Sequence, residues 1–185
     1  PGVPAVNGST AFLAKYAPDG SLVWARTLAN SSANSTAGYD VTVDSQGNVY
    51  ATGIFGGLNI DFDPGPGVFA MTGAGSGYNG FVSKFDANGN FSWARQIVAG
   101  DSTGILPVLD VDSLGNAYVT GRFGTNFSLR ASGSDVIGPI AGAGGGDIFL
   151  AKLDTHGTWQ WGRAMGSASL DYAPAVAVDS AGNSH

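Results

Sequence analysis

Three times along its 185 residues the chain repeats Phe-x-x-Lys, with a tryptophan nine residues after each lysine. The copies run from Phe12 to Lys15 with Trp24, from Phe81 to Lys84 with Trp93, and from Phe149 to Lys152 with Trp161. They start 69 and then 68 residues apart. A second phrase keeps step with the first: Asp44-Ser45-Gln46-Gly47-Asn48, Asp112-Ser113-Leu114-Gly115-Asn116 and Asp179-Ser180-Ala181-Gly182-Asn183. Recurrence at a fixed period means one supersecondary unit stacked on copies of itself, because no single copy can bury its apolar face alone.

The residues available for building that unit favour strands. All 14 acidic residues are Asp, only three lysines (Lys15, Lys84, Lys152) and two methionines occur, and strong helix formers are therefore scarce. Glycine supplies 30 residues, and the aromatic and β-branched residues sit in short runs between turn residues, the pattern of strands joined by tight turns. A net charge of −6 leaves no basic stripe to displace phosphate counterions, so nucleic acid and anionic lipid are poor partners. No run of about 18 apolar residues is present, which argues against membrane insertion by a helix. Without cysteine there is no disulfide framework and no thiolate zinc site. The start at Pro1 rather than Met reads as a processed or trimmed end.

Within residues 39–98 four period-two runs stand between turns: 39–43, 48–55, 80–85 and 91–97. The turns Asp44-Ser45-Gln46-Gly47 and Asp86-Ala87-Asn88-Gly89-Asn90 carry the glycine that a tight hairpin needs. A repeated four-stranded antiparallel meander reads as the blade of a β-propeller, first strand innermost and fourth at the rim. The expected fold is therefore all-β. Its parts are an outer strand pair at 11–28, full blades at 38–98 and 107–166, and the inner strand or strands of a further blade at 172–185.

Alternate connections of a meander emerge at the same end. The stretches between the second and third strands, 56–79 and 124–147, should then share one face with the connections between blades, 29–38 and 99–107. That long-loop face is where recognition is expected. Three repeats less about twenty residues cannot close a ring, since propellers carry four to eight blades. The open edges are expected to meet further blades of a longer chain or other copies of this one, as a homo-oligomer or a filament.

The phrases Phe-Leu/Val-Ala/Ser-Lys, Asp-x-x-Gly-x-x-x-Trp and Val-Asp-Ser-x-Gly-Asn together resemble the bacterial SBBP-type β-propeller repeats, and the likeness covers residues 11–183. The resemblance implies a secreted or cell-surface bacterial protein and no particular reaction. Two stretches depart from the pattern. Ser184-His185 stands where an aromatic second strand should begin, and the loop 58–67 has no clear counterpart in the next repeat.

Most repeated polar residues read as architecture. Arg26, Arg95 and Arg163 sit two residues after the tryptophans Trp24, Trp93 and Trp161, with Lys15, Lys84 and Lys152 on the neighbouring strand, so cross-strand stacking explains them. Asp44, Asp112 and Asp179 fit Asx-turn caps better than a calcium loop, which needs a bidentate acid at its end. A hard cation such as calcium, if bound, is expected at Asp61 and Asp63, two carboxylates on one side of a strand; no other cofactor is expected. His156 and His185 are poorly placed as general bases, and no nucleophile has an identifiable partner, so no catalytic residue is assigned.

The expected function is a non-enzymatic extracellular module, structural or adhesive, that recognises glycan or another cell-surface polymer. Tyr39, Phe69, Tyr78 and Phe127 would serve as stacking platforms. The alternative is a segment of a propeller enzyme, a glycoside hydrolase or quinoprotein, whose catalytic residues lie on other blades.

Overall fold

The computed structural model describes residues 11–29, 36–74, 77–99, 105–131, 135–172 and 175–185. Among these the regular structure is all strand, and no helix is present that is long and apolar enough to cross a membrane. Phe12–Tyr16 (β1) and Leu22–Thr27 (β2) form an antiparallel pair. Thr36–Val43 (β3) and Val49–Phe55 (β4) follow, then a short hairpin of Ile60–Asp61 (β5) and Ala70–Met71 (β6), then Asn79–Phe85 (β7) and Phe91–Ala99 (β8). Val108–Val111 (β9) and Ala117–Phe123 (β10) begin the second unit. Asn126–Arg130 (β11) and Asp135–Ala141 (β12) form its inserted hairpin, and Asp147–Leu153 (β13) and Trp159–Met165 (β14) complete it.

The expected meanders are present. β3, β4, β7 and β8 pair in that order, all antiparallel, and so do β9, β10, β13 and β14. The register repeats with the sequence: Tyr50 faces Lys84 and Lys84 faces Trp93 in the first unit, Tyr118 faces Lys152 and Lys152 faces Trp161 in the second. In each unit a recurring Thr-Gly makes room for an aromatic ring on the neighbouring strand of the same sheet. Gly53 lies opposite Phe81 and Gly121 opposite Phe149, and a Cβ on either glycine would come within 2.8 Å of that ring. Only a residue without a side chain leaves room there for the aromatic. One core runs from Tyr50, Val82, Trp93 and Ile97 of the first unit into Val119, Phe149, Leu153 and Trp159 of the second, so the meanders pack on each other. A second core joins Leu13 and Trp24 to Phe55, Phe81 and Phe85.

Three expectations are corrected. The stretches between second and third strands are hairpins turned back into the seams between units, rather than loops on an open face. β11 pairs with β8 of the preceding unit, so β12-β11-β8-β7-β4-β3 make one six-stranded sheet. Phe127 and Leu129 of this hairpin are fully buried, and a Cβ on Gly162 of β14 would meet Leu129, Ile140 and Phe127 at 3.0 to 3.3 Å. The run Phe127-Ser128-Leu129 alternates toward the core and finds a free strand edge at β8, which is reason enough to pair.

Secondly, the 58–67 stretch does have a counterpart: β5–β6 occupies the corresponding seam, where Ile60, Phe62 and Met71 are buried against Phe55 and Phe81. Thirdly, residues 175–185 form a turn closed by the single bridge Val178–Ser184 and the paired backbone bonds of Ala177 and His185, rather than strands. Most of the two connections between blades, within 29–38 and 99–107, lies outside the described residues.

Candidate functional site

The repeated side chains form a staple from each unit to the next. Trp24 Nε1 and Lys15 Nζ both donate to the Ala87 carbonyl, at 3.3 and 3.1 Å, while Arg26 Nε donates to Gly89 O at 2.8 Å. One unit on, Trp93 Nε1 and Lys84 Nζ donate to Thr155 O at 3.1 and 3.3 Å, and Arg95 Nε to Gly157 O. Each arginine also stacks over its own tryptophan, Arg26 at 5.8 Å from the Trp24 ring and Arg95 at 5.5 Å from that of Trp93. The arginines stack along their own strand rather than across strands, and the other half of their role, which the linear pattern did not disclose, is hydrogen bonding to the next turn.

The glycines of the receiving turns are obligatory on two counts. Gly89 and Gly157 have φ of +77° and +76°, and a Cβ there would come within 2.8 Å of Trp24 and 2.6 Å of Trp93. In the third copy Arg163 bonds only Gly162 O among the described residues, and Lys152 Nζ donates to Tyr118 Oη at 2.6 Å, 3.9 Å from Asp112.

An inner staple runs in parallel. Tyr50 Oη donates to Gly115 O at 2.8 Å and Tyr118 Oη to Gly182 O at 2.9 Å. Both rings are buried, and Lys84 and Lys152 lie 4.8 and 4.7 Å from them. Burial, with the Asp44 charge beside it, pushes the Tyr50 hydroxyl far above its ordinary pKa. Burial lowers the Lys84 ammonium, against the pull of Asp44.

The turn aspartates all act as caps. Asp44 accepts the backbone N–H groups of Gln46 and Asn48 and the Asn48 side chain; Asp112 does so from Leu114 and Asn116, and Asp179 from Ala181 and Asn183. Burial raises Asp44 and Asp112, but these donors outweigh it and hold both carboxyls below the usual range.

An open cleft lies at the first seam. A cavity of about 510 Å³ lies between β2, the 63–66 turn of the β5–β6 hairpin and the start of β8, lined by Arg26, Thr27, Asp63, Pro64, Asn90 and Phe91. Its origin is local. Pro64 and Pro66 have no N–H to give a ladder, so β5 and β6 are two residues each and leave the edge of β2 away from β1 without a strand among the described residues. Asp61 Oδ1 accepts from Asp63 N and Phe69 N, and Asp63 Oδ1 from Gly65 N, so both expected cation ligands brace the turn. The cleft sets an aromatic edge, Phe91 backed by Phe69 at 5.3 Å, beside a carboxylate, a carboxamide and a guanidinium.

The four expected aromatic platforms do not form one surface. Tyr39 on β3 and Tyr78 before β7 are exposed, and the Tyr78 ring covers Gly56. Phe69 is half-buried against Phe91, beside the cleft. Phe127 is excluded from ligand contact, since it sits between Phe123 and Phe149 at 4.9 and 5.3 Å. Sequence reasoning passed over Pro64, Asn90 and Phe91; the doubled proline of Asp63-Pro64-Gly65-Pro66 was the available signal that this hairpin stops short.

No protein-family model matches the chain. It is similar to an uncharacterized WD repeat-containing protein of Acanthamoeba polyphaga mimivirus, 26% identical over 181 residues. The match covers 87% of this chain and 13% of the viral protein. Repeat period, meander register and this likeness converge on a β-propeller-like repeat protein.

Proposed function

We propose that the chain is an extracellular, non-enzymatic β-propeller-like module, of the bacterial SBBP kind, that binds glycan or another surface polymer in the cleft at its first seam. The observation that carries this reading is the cleft itself, an open cavity bordered by polar groups and one aromatic edge, the mixture that suits a sugar ring. The staple and cap residues support it indirectly. Tryptophan, arginine, lysine and aspartate of the repeats serve the joints and turns, so, Arg26 apart, recognition falls mostly to residues that differ between copies, Thr27, Asp63, Pro64, Asn90 and Phe91. The chain spans 13% of its viral relative, and its place in a larger protein is part of the proposal: neighbouring blades supply its structural partners.

A glycan array followed by titration calorimetry tests the recognition role. A ligand should bind with micromolar to millimolar affinity, and Ala25→Trp, at a residue of β2 that also lines the cleft, should weaken it at least about tenfold with little change in Tm. Failure to retain any glycan at millimolar concentration, or equal affinity in Ala25→Trp, would remove the cleft from the function.

A further inference from the structure

The first residue of the third strand differs between the two full units, and the difference has a chemical consequence independent of the cleft. In the first unit it is Asn79, 1% exposed and fully satisfied. Its Oδ1 accepts from Gln96 Nε2 and Ala74 N at 3.1 and 3.3 Å, and its Nδ2 donates to the carbonyls of Ala74 and Gly77. In the second unit the same place holds Asp147, also 1% exposed. Asp147 Oδ2 accepts from Ala143 N and Gly144 N at 3.0 and 3.2 Å, matching the bond of Asn79 Oδ1 to Ala74 N. Asp147 Oδ1, by contrast, accepts no hydrogen bond among the described residues. The partner residue has changed as well, because Ala164 stands where Gln96 stood. A cavity of about 230 Å³ lined by Asp147, Ala164, Gly142 and Gly166 lies at that place.

An ionised carboxylate with one oxygen buried and unbonded has lost the water it had in the unfolded chain and gained nothing in return, which is costlier for a charged group than for a neutral one. A second carboxylate lies beside it, and the Arg122 guanidinium, stacked over Tyr172 with its buried Nε unbonded among the described residues, comes within 3.3 Å of a Cβ placed on Gly146. A Cβ placed on Gly166 would overlap Asp147 Oδ1 and come within 3.0 Å of Asp171 Oδ2, so the two carboxylates converge on one glycine. Asp171 is held there by Ser167, whose N–H and hydroxyl donate to Oδ2 at 2.8 and 3.2 Å. Where the first unit presents an amide N–H₂ group to loop carbonyls, the second presents an oxygen. A positive charge is the complement that satisfies both carboxylates together.

We propose that Asp147 and Asp171 bind a hard divalent cation, calcium, at the cavity between the Gly142–Gly146 loop and the 166–171 segment. Calcium takes six to eight oxygens, backbone carbonyls and water among them, so two carboxylates on a glycine-rich loop are an appropriate anionic half of its shell. The ion ties the end of β14 to the start of β13.

Calcium titration by calorimetry, with thermal melts in calcium and in EDTA, tests this. Calcium at about a hundred times its Kd should raise Tm by about 5–10 °C. Asp147→Asn should abolish binding and the shift while leaving Tm in EDTA unchanged or higher, because an amide there repeats the Asn79 arrangement. Asp171→Asn should weaken binding by at least about tenfold. Asp61→Asn should leave the shift intact. A native protein whose Tm ignores calcium, an Asp147→Asn variant that responds as the native does, or a response lost only in Asp61→Asn would each overturn the site. The double variant Asp147→Asn with Ala164→Gln, which rebuilds the Asn79–Gln96 pair, guards against a folding defect: it should be stable and blind to calcium.

Discussion

The two seams of the molecule share a staple and differ in what fills them. At the second, β11 pairs residue for residue with β8 from Phe127 with Ala99 to Arg130 with Gln96, and Trp159 Nε1 closes the top on Arg130 O at 3.0 Å. At the first, β5 and β6 are too short to reach β2, Phe91 stands where Trp159 would, and a cleft is left. Yet Trp24, Arg26 and Lys15 grip Ala87 and Gly89 as Trp93, Arg95 and Lys84 grip Thr155 and Gly157. Joint and filling are therefore separable. The repeated residues set how units meet, and the variable hairpin decides whether the gap between them is closed by protein or open to a ligand.

The largest expected effect falls on the filled seam. Phe127→Ala should cost about 3–5 kcal/mol in urea unfolding, whereas Phe69→Ala, half-buried at the open seam, should cost about 1–2. Equal costs would mean that both seams carry load alike. Next, Trp93→Ala should cost about 3 kcal/mol and Trp161→Ala about 1. Both rings meet a tyrosine edge-on, at 6.1 and 6.2 Å, but only Trp93 among the two bonds a following turn within the described residues. Matching values would show that the tyrosine contact, and not the joint, is what the tryptophan supplies.

A smaller change probes the inner staple. Tyr50→Phe and Tyr118→Phe should each cost about 1 kcal/mol, the net worth of one hydrogen bond. Tyr50 carries a pH signature too. Its pKa is raised in the folded state, so its contribution is complete below about pH 10, the ordinary tyrosine value, and is lost as pH rises beyond it. Tyr50→Phe should flatten that alkaline loss.

The smallest effect per group is at acid pH. Backbone and side-chain bonds from Asn90 hold Asp86 low, and Asp44 and Asp112 are low despite burial. Depressed carboxyls stabilise above about pH 4 and lose that contribution as pH falls through their lowered values. Carboxyl NMR titration should place all three below the usual 3.9. A normal value at Asp112 would break the equivalence of the turns.

How much of this was legible beforehand can be read from particular residues. The strands of the first full unit were visible because alternation and Asx-Gly turns are local signals; β3 began three residues earlier than expected since its pairing with β4 extends to Thr36 and Phe55. Phe127 was misplaced because an aromatic in a Gly- and Ser-rich stretch looks exposed until a distant strand edge, β8, is brought beside it. The cleft was hidden for the same reason: Arg26 and Phe91 lie 65 positions apart and meet only across a seam.

By itself the amino-acid order determined the period, the all-β meander and the turns, because each rests on contacts within about 70 residues and recurs with the repeat. Tertiary structure alone decided the destination of the tryptophan and arginine donors, the burial of the inserted hairpins, and the convergence of Asp147 and Asp171. Those outcomes depend on which free edge or unpaired carbonyl lies across a seam, and an edge becomes a partner only once two units have packed.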